Sequence, residues 1–248
     1  MKFADEMSSL DFQNKEGEKW KFDEQVTSCF EDMLERSIPQ YHVMRTAVFN
    51  LGCKILDKFQ PGQRNILELG CSNGLALEPF VKKYGATSRY MGVDVSEPML
   101  KEAKNRFQGY INVNIVNIEK MDITKKLPED FYSVIISILT LQFTPIEYRQ
   151  GIIQGIYNRL EKSGCFILVE KVLGNCSELN DIMVDEYLKL KKNNGYTREQ
   201  IVRKQSALEG VLVPMTSDWN KDLLKQAGFR KIDTFWRWMN FEGYICFK

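Results

Sequence analysis

The chain has 248 residues, of which 44% are hydrophobic and 27% are charged, and this composition is typical of a water-soluble globular protein. Its 34 basic and 33 acidic residues leave a formal net charge of +1, so no overall positive charge favours nucleic acid as a partner. No apolar run is long enough to span a bilayer, and the first ten residues lack the apolar stretch of a signal peptide. We therefore expect a cytoplasmic protein without a membrane partner. Six cysteines with no CxxC pair predict neither a disulfide framework nor a metal site.

The N-terminal quarter of the chain is predicted to be helical. The stretch FDEQVTSCFEDMLERS places apolar side chains at helical spacing from Phe22 to Leu34. Pro39 ends this helix, and a second helical stretch runs from about Tyr41 to Phe59. We expect residues 1–60 to form a helical cover over the rest of the molecule.

Strands and helices alternate over residues 61–171. The predicted strands are NILEL, RYMGVDV, VNIVN, YSVIISI and CFILVE. The helices between them are GLALEPFVKKY, EPMLKEAKNRF with Ser96 as its N-cap, and EYRQGIIQGIYNRL. Alternation at these lengths predicts an α/β fold with a mostly parallel sheet covered by helices on both faces.

The regular alternation of strands and helices stops after Glu170, where the fifth strand is expected to end. Residues 172–217 are predicted to be a mostly helical lid, and residues 218–248 to be a helix followed by the strands KIDTFW and FEGYICFK. The short connection between these two strands requires antiparallel pairing. We expect one domain over 1–248, with a seven-stranded sheet that ends in an antiparallel C-terminal hairpin. The KLKKNNG run in the lid is interpreted as a solvated helix end.

The stretch LELGCSNGLALEPF places Gly70 and Gly74 where the first strand passes into a helix. Such a turn lets a ligand approach the main chain beside the positive end of a helix. The third glycine of the dinucleotide motif is missing, and no GK[ST] of a P-loop follows. The turn therefore predicts a site for a nucleoside without phosphates.

Two acids follow successive strands at the same edge of the sheet. Asp94 ends YMGVD and can accept both hydroxyl groups of a ribose, and Asp122 in EKMDIT can accept an adenine amino group. Each acid alone could equally be a helix N-cap or a solvated loop residue. Their joint occurrence favours a nucleoside site.

The segments ILELGCSNG, YMGVDVS and KMDIT resemble the successive cofactor motifs of class I S-adenosylmethionine-dependent methyltransferases, which have a Rossmann-like sheet. The segments WKFDEQVTSCFEDMLERSIPQY, TLQF, VEK, KNNGYTREQI and SALEGV resemble those of the carboxy-S-adenosylmethionine synthases of the tRNA uridine-5-oxyacetate pathway. The resemblance covers nearly the whole chain. It implies a homodimer, with S-adenosyl-L-methionine held by Tyr41, Gly70, Cys71, Ser72, Asp94, Val95, Asp122, Ile123 and Ile138.

Two positions depart from the resemblance. Ile138 stands where the family has an asparagine, so only a backbone contact could survive there. The synthases have an arginine in RKQSALEG, donated across the homodimer to the carboxylate of their product, and this chain has Gln205 there. Glutamine offers neither charge nor a bidentate fork, and Arg203 faces roughly the opposite side of the helix. We therefore expect a methyltransferase acting on a small polar metabolite, with Tyr196, Arg203 and Gln205 as substrate contacts.

Two further interpretations stay open. The first is carboxy-S-adenosylmethionine synthesis from S-adenosylmethionine and prephenate, and the second is a non-catalytic S-adenosylmethionine-binding protein. If the reaction needs a general base, His42 and Glu170 are the candidates. A helix residue with a satisfied imidazole is the plainer interpretation of His42, and Glu170 could equally cap a helix.

Overall fold

The structure, a computed structural model, describes residues 17–248, so residues 1–16 of the predicted N-terminal cover lie outside the described part. A mixed sheet runs through its centre in the order β3-β2-β1-β4-β5-β8-β7, with the two-residue strand β6 beside β5. The strands are β1 Arg64–Leu69, β2 Ser88–Asp94, β3 Val116–Lys120, β4 Tyr132–Ile138, β5 Leu160–Leu173, β6 Met215–Thr216, β7 Lys231–Trp238 and β8 Phe241–Phe247.

The pairing confirms the predicted sheet. Strands β3, β2, β1, β4 and β5 are parallel, whereas β8 pairs antiparallel with both β5 and β7. The seven strands of the main path match the expected number, and β6 is an addition that the sequence pattern does not reveal. Six of the seven residues of β4 are buried, because helices cover both faces of this central strand.

The helices lie on both faces of the sheet and above its edge. They are α1 Glu24–Ser28, α2 Phe30–Ser37, α3 Tyr41–Leu56, α4 Glu78–Tyr84, α5 Glu97–Ile111, α6 Ile146–Arg159, α7 Ser177–Asn193, α8 Arg198–Leu208 and α9 Ser217–Gln226. The backbone N–H of Met99 donates to the Ser96 hydroxyl at 3.3 Å, which confirms the predicted N-cap of α5.

Several predicted element bounds are wrong. The helix expected from Gly74 begins only at Glu78, and the strand expected from Cys165 begins at Leu160. The first predicted helix is broken at Cys29 into α1 and α2, and β3 begins at Val116 instead of Val113. Strand β5 continues to Leu173, because its pairing with β8 extends through Lys171. Glu170 therefore lies inside the sheet and not at the end of a strand.

Two apolar layers hold the sheet between the helices. One layer joins α3 and α4 to the sheet through side chains such as Met44, Phe80 and Val134, and the other joins α6 and α9 through Ile156 and Leu224. Full burial of each such side chain contributes about 1.5–3 kcal/mol. Within residues 17–248, none of the helices combines the length and the hydropathy needed to cross a membrane.

The segment 172–217 contains α7 and α8 and packs against the N-terminal helices. The Tyr196 and Ser37 hydroxyls are hydrogen-bonded at 3.0 Å, and the Asn194 side chain donates to the Arg36 carbonyl at 3.0 Å. These contacts place the N-terminal helices and the segment 172–217 together above the carboxyl ends of the parallel strands.

Candidate functional site

The carboxyl ends of the parallel strands open into a cavity of about 770 Å³. Aromatic and aliphatic side chains of α2, α3, α7 and α8 enclose it from above, among them Met33, Tyr187 and Leu208. A cavity of this size suits a ligand as large as a nucleoside. The structure brings to it every residue that the sequence assigns to the cofactor, namely Tyr41, Gly70, Cys71, Ser72, Asp94, Val95, Asp122, Ile123 and Ile138.

The glycine turn is held tightly against β2. Gly70 has φ +70°, and a Cβ there would collide with the Thr140 side chain. The N–H groups of Gly70 and Cys71 both donate to the Val93 carbonyl, at 2.8 and 3.0 Å. These two donors are therefore occupied by the protein itself and do not face outward toward a ligand. A close-fitting turn without free donors suits a ligand that brings no phosphate.

Asp94 is positioned to accept two further hydrogen bonds. Its Oδ2 accepts from the N–H of Ser72 and its Oδ1 from the N–H of Ser96, both at 2.9 Å. Burial raises its pKa, and these backbone hydrogen bonds oppose that shift. A carboxylate has about four acceptor positions, so about two remain for the neighbouring hydroxyls of a ribose.

A buried acid and a cation lie beside Asp94, and the sequence analysis assigns neither to the site. Burial raises the pKa of Glu68 to about 8, and Arg45 opposes this shift. Arg45 donates to the Tyr41 hydroxyl at 2.7 Å and to the Leu75 carbonyl. Within residues 17–248, the Glu68 Oε2 has no hydrogen-bond partner, although it is buried. A ligand in the cavity can supply that partner.

Asp122 lies at the far side of the cavity, after β3. Its Oδ1 accepts from the Thr124 N–H at 3.0 Å and from the Thr124 hydroxyl at 2.6 Å. These hydrogen bonds hold the pKa of Asp122 below its usual value, so it is a carboxylate at neutral pH. Ile123 is buried next to it, and Val95 exposes 57% of its surface toward the same space. Two apolar side chains and an acceptor suit an adenine ring.

Lysines line the opposite end of the cavity, where β5 ends. The ammonium groups of Lys171 and Lys191 lie 4.8 and 5.0 Å from the centre of the Tyr187 ring. Burial lowers the pKa of Lys171, and burial together with Lys171 lowers the pKa of Lys191 to about 8. The interpretation of KLKKNNG as a solvated helix end is wrong for Lys191, which is only 3% exposed.

Four predicted residues do not line the cavity. The His42 side chain is 77% exposed, with its Nε2 3.2 Å from Glu35. Glu170 is buried and accepts from the Leu141 N–H at 3.1 Å, and burial raises its pKa to about 8. Tyr196 packs behind the wall, Arg203 is exposed, and only Gln205 of the predicted substrate contacts lies at the cavity.

Metal chemistry has no candidate site in the described part of the chain. Over residues 17–248, no group of three or more histidine, cysteine, aspartate or glutamate side chains could hold a metal ion.

Comparisons with known proteins agree with this geometry. Residues 66–164 match the methyltransferase domain family. The crystal structure of CurJ carbon methyltransferase superposes with a TM-score of 0.62 at 16% identity, over 90% of this chain and 60% of that longer one. The fold and the matched domain place the chain in the class I S-adenosylmethionine-dependent methyltransferase superfamily.

Two relatives narrow this class. Carboxy-S-adenosyl-L-methionine synthase of Methylococcus capsulatus is 36% identical over 230 residues, covering 92% of this chain and 93% of the relative. The enzyme of the same name from Nautilia profundicola is 37% identical over 237 residues, covering 95% and 97%. The chain therefore belongs to the carboxy-S-adenosyl-L-methionine synthase family. S-adenosyl-L-methionine is its cofactor, and the free acceptor positions of Asp94 and Glu68 fit it.

Proposed function

We propose that the protein makes carboxy-S-adenosylmethionine from S-adenosylmethionine and prephenate. The observation that carries this proposal is identity of 36–37% to proteins named as synthases, over more than nine-tenths of the chain. The reaction balances without a further reactant. The sulfonium methyl carbon exchanges a proton for the carboxyl group, and prephenate loses that carboxyl group and a hydroxide to become phenylpyruvate. The proton and the hydroxide form water.

The cavity supports the proposal over simple methyl transfer. Gln205 lacks the positive charge of the family's arginine, and for that reason the sequence favours a methyltransferase for a polar metabolite. The cavity nevertheless has positive charge from other residues, since Lys171, Lys191 and Lys204 all line it. A carboxylate donor and a carboxylated product both need such a charge close to the sulfonium end.

The proposed activity can be tested directly. Purified protein is incubated with S-adenosylmethionine and prephenate, and the products are identified by mass spectrometry. We expect an S-adenosylmethionine derivative with one added carboxyl group, formed together with an equal amount of phenylpyruvate. Omitting prephenate should abolish both products. Formation of a methylated metabolite and an equal amount of S-adenosylhomocysteine, without the carboxylated product, would support the methyltransferase alternative and overturn the proposal.

We also propose a homodimer, on the basis of the family resemblance. The aromatic side chains of the C-terminal hairpin add little support, because Trp236 and Phe241 are buried in the core of their own chain. Light scattering at micromolar concentration should give twice the mass of one chain. A mass of one chain would contradict the proposal.

A further inference from the structure

The position of Lys171 follows from the sheet register. Leu69, just before the glycine turn, pairs with Ser137 of β4, and the next residue of β4, Ile138, pairs with Val169 of β5. Gly70 and Val169 therefore lie at the same height along the strand direction. Lys171 lies on β5, two strands away from the strand that leads into the turn, and it is two residues past Val169 toward the carboxyl end of β5. With standard strand dimensions, this is about 10 Å across the sheet and about 7 Å above its edge. Lys171 is therefore placed beside the cofactor and not beneath it.

Lys191 reaches the same place from the helix above. It lies in the last turn of α7, and its ammonium group shares the Tyr187 ring with that of Lys171. Phe241, which pairs with Lys171 in the sheet, packs against the same ring at 5.3 Å. Two cations from different elements thus meet at one apolar wall of the cavity.

Both charges lack an acidic partner among residues 17–248. Burial alone lowers the pKa of Lys171, and the one charged group that acts on Lys191 is Lys171, which has the same sign. The neighbouring carboxylate of Glu170 does not neutralise them, since it is occupied by the Leu141 N–H and successive side chains of a strand face opposite sides.

Aromatic contact does not offset the cost of burying these charges. A cation over an aromatic ring gains much less free energy than the removal of an ammonium group from water costs. Only an opposite charge recovers a cost of that size. A pair of like charges facing an apolar cavity is therefore incomplete without an anion.

We infer that Lys171 and Lys191 form the anion subsite of the cavity and bind the carboxylate of the group that becomes attached to the sulfonium methyl carbon. This inference rests on the proposed carboxyl transfer and names the residues that make it possible. It also explains how the chain can function with Gln205, because β5 and α7 supply positive charge that the family's arginine position in α8 lacks in this chain. Gln205 is exposed at the rim of the cavity and offers only a neutral hydrogen bond.

The test compares two ligands that differ only in the carboxylate. Calorimetry on the full-length protein gives the dissociation constants of carboxy-S-adenosylmethionine and of S-adenosylmethionine, and their ratio measures recognition of the carboxylate. For Lys191→Met and for Lys171→Met we expect this ratio to fall by roughly tenfold or more, as for the loss of a charge-assisted contact. The affinity for S-adenosylmethionine itself should stay within roughly threefold of wild type, since methionine is unbranched and close to lysine in volume.

Matched controls separate charge from position. Lys192→Met removes the adjacent exposed lysine of α7, and Lys162→Met removes an exposed lysine of β5. Both should keep the ratio of the wild-type protein. Lys191→Met should also melt at the same or a higher temperature without ligand, because it removes a buried charge that has no partner. Gln205→Ala should change the ratio by less than roughly threefold, as for an exposed neutral hydrogen bond.

The outcomes distinguish the subsite from the proposed function. An unchanged ratio in both cavity variants, with normal S-adenosylmethionine binding, would overturn the subsite even if the wild-type protein makes the carboxylated product. A lost preference in the variants, together with no product from prephenate in the wild-type protein, would support the subsite and overturn the proposed function. An equal loss in Lys192→Met would also overturn the subsite, because it would show a general effect of charge.

Discussion

The two ends of the cavity differ in how their charged groups are satisfied. At the cofactor end, Asp94 already accepts two backbone N–H groups, and Arg45 is paired with the Tyr41 hydroxyl and a main-chain carbonyl. At the other end, Lys171 and Lys191 share one aromatic ring, and neither forms an ion pair with an acid of the described residues 17–248. The hydrogen-bonding groups of the cofactor end are oriented before a ligand binds, whereas the positive charge of the lysine end is balanced only when an anion binds.

This difference indicates how one cavity can treat two substrates in different ways. Preorganised hydrogen bonds hold a ligand in one orientation, and the cofactor needs this because its methyl carbon must lie at a defined point. Unbalanced positive charge attracts any small anion that fits, and it orients the anion less strictly. We expect the affinity for the cofactor to depend on geometry and the affinity for the carboxylate to depend on charge. Three changes can test that distinction.

The largest effect is expected for Asp94→Ala. Two ribose hydroxyls lose a charged acceptor, so the affinity for S-adenosylmethionine should fall by roughly tenfold or more. Calorimetry measures this fall, and Glu97→Ala is the matched control, since the Glu97 side chain is 72% exposed and pairs with Lys120. Unchanged affinity in Asp94→Ala would remove this residue from the site.

A smaller effect is expected from pH at the lysine end. Burial and Lys171 lower the pKa of Lys191 to about 8, so the ammonium group is charged below this pH and loses its proton as the pH rises through it. The other groups facing it are Tyr187 and Tyr196 at its ring contacts and Lys204 from α8, and burial raises the pKa of Tyr187, which therefore stays neutral. The preference for the carboxylated ligand should fall by about tenfold between about pH 7 and pH 9.

The ratio of the two dissociation constants is the suitable measurement for this pH dependence. Glu68 also titrates at about pH 8, but it acts on the part that both ligands share and cancels in the ratio. Lys191→Met should give a flatter profile than the wild-type protein. A profile that keeps its full slope in this variant would assign the titration to another group.

The smallest effect is expected for His42→Ala. The side chain is 77% exposed and pairs with Glu35 outside the cavity, so turnover and cofactor affinity should stay within about twofold of wild type, as is usual for surface substitutions. A steady-state assay with S-adenosylmethionine and prephenate measures both. A tenfold loss of turnover at unchanged affinity would contradict this placement and would again make His42 a candidate general base.

The cofactor end could be predicted from the sequence because its residues follow consecutive strands. Parallel strands that are adjacent in a doubly wound sheet bring their carboxyl ends together, so the glycine turn, Asp94 and Asp122 meet once the strand order is known. Tyr41 was placed by the family resemblance alone. The sequence did not predict the roles of Arg45 and Glu68. Nothing in the sequence around Arg45 indicates that this helix residue faces β1, which is distant along the chain.

The lysine end was decided by tertiary structure. KLKKNNG has the composition of a solvated helix end, and the sequence does not distinguish Lys191 from its exposed neighbour Lys192. The rotation of α7 against the sheet buries one lysine and exposes the other, and this rotation depends on the packing of Tyr187 against Phe241. The position of Glu170 was also decided by tertiary structure, because only the pairing of β5 with β8 reveals that the strand continues past this residue.

The sequence by itself determined the α/β fold, the parallel core with its antiparallel hairpin, and the edge of the sheet at which the cavity lies. Hydrophobic periodicity and turn residues are local, and the handedness of parallel connections leaves only a few sheet orders that fit them. Tertiary structure alone decided which charges are buried, which are paired and which face the cavity. Burial and pairing depend on side chains that are distant in the sequence, and these determine the electrostatic free energy of each group.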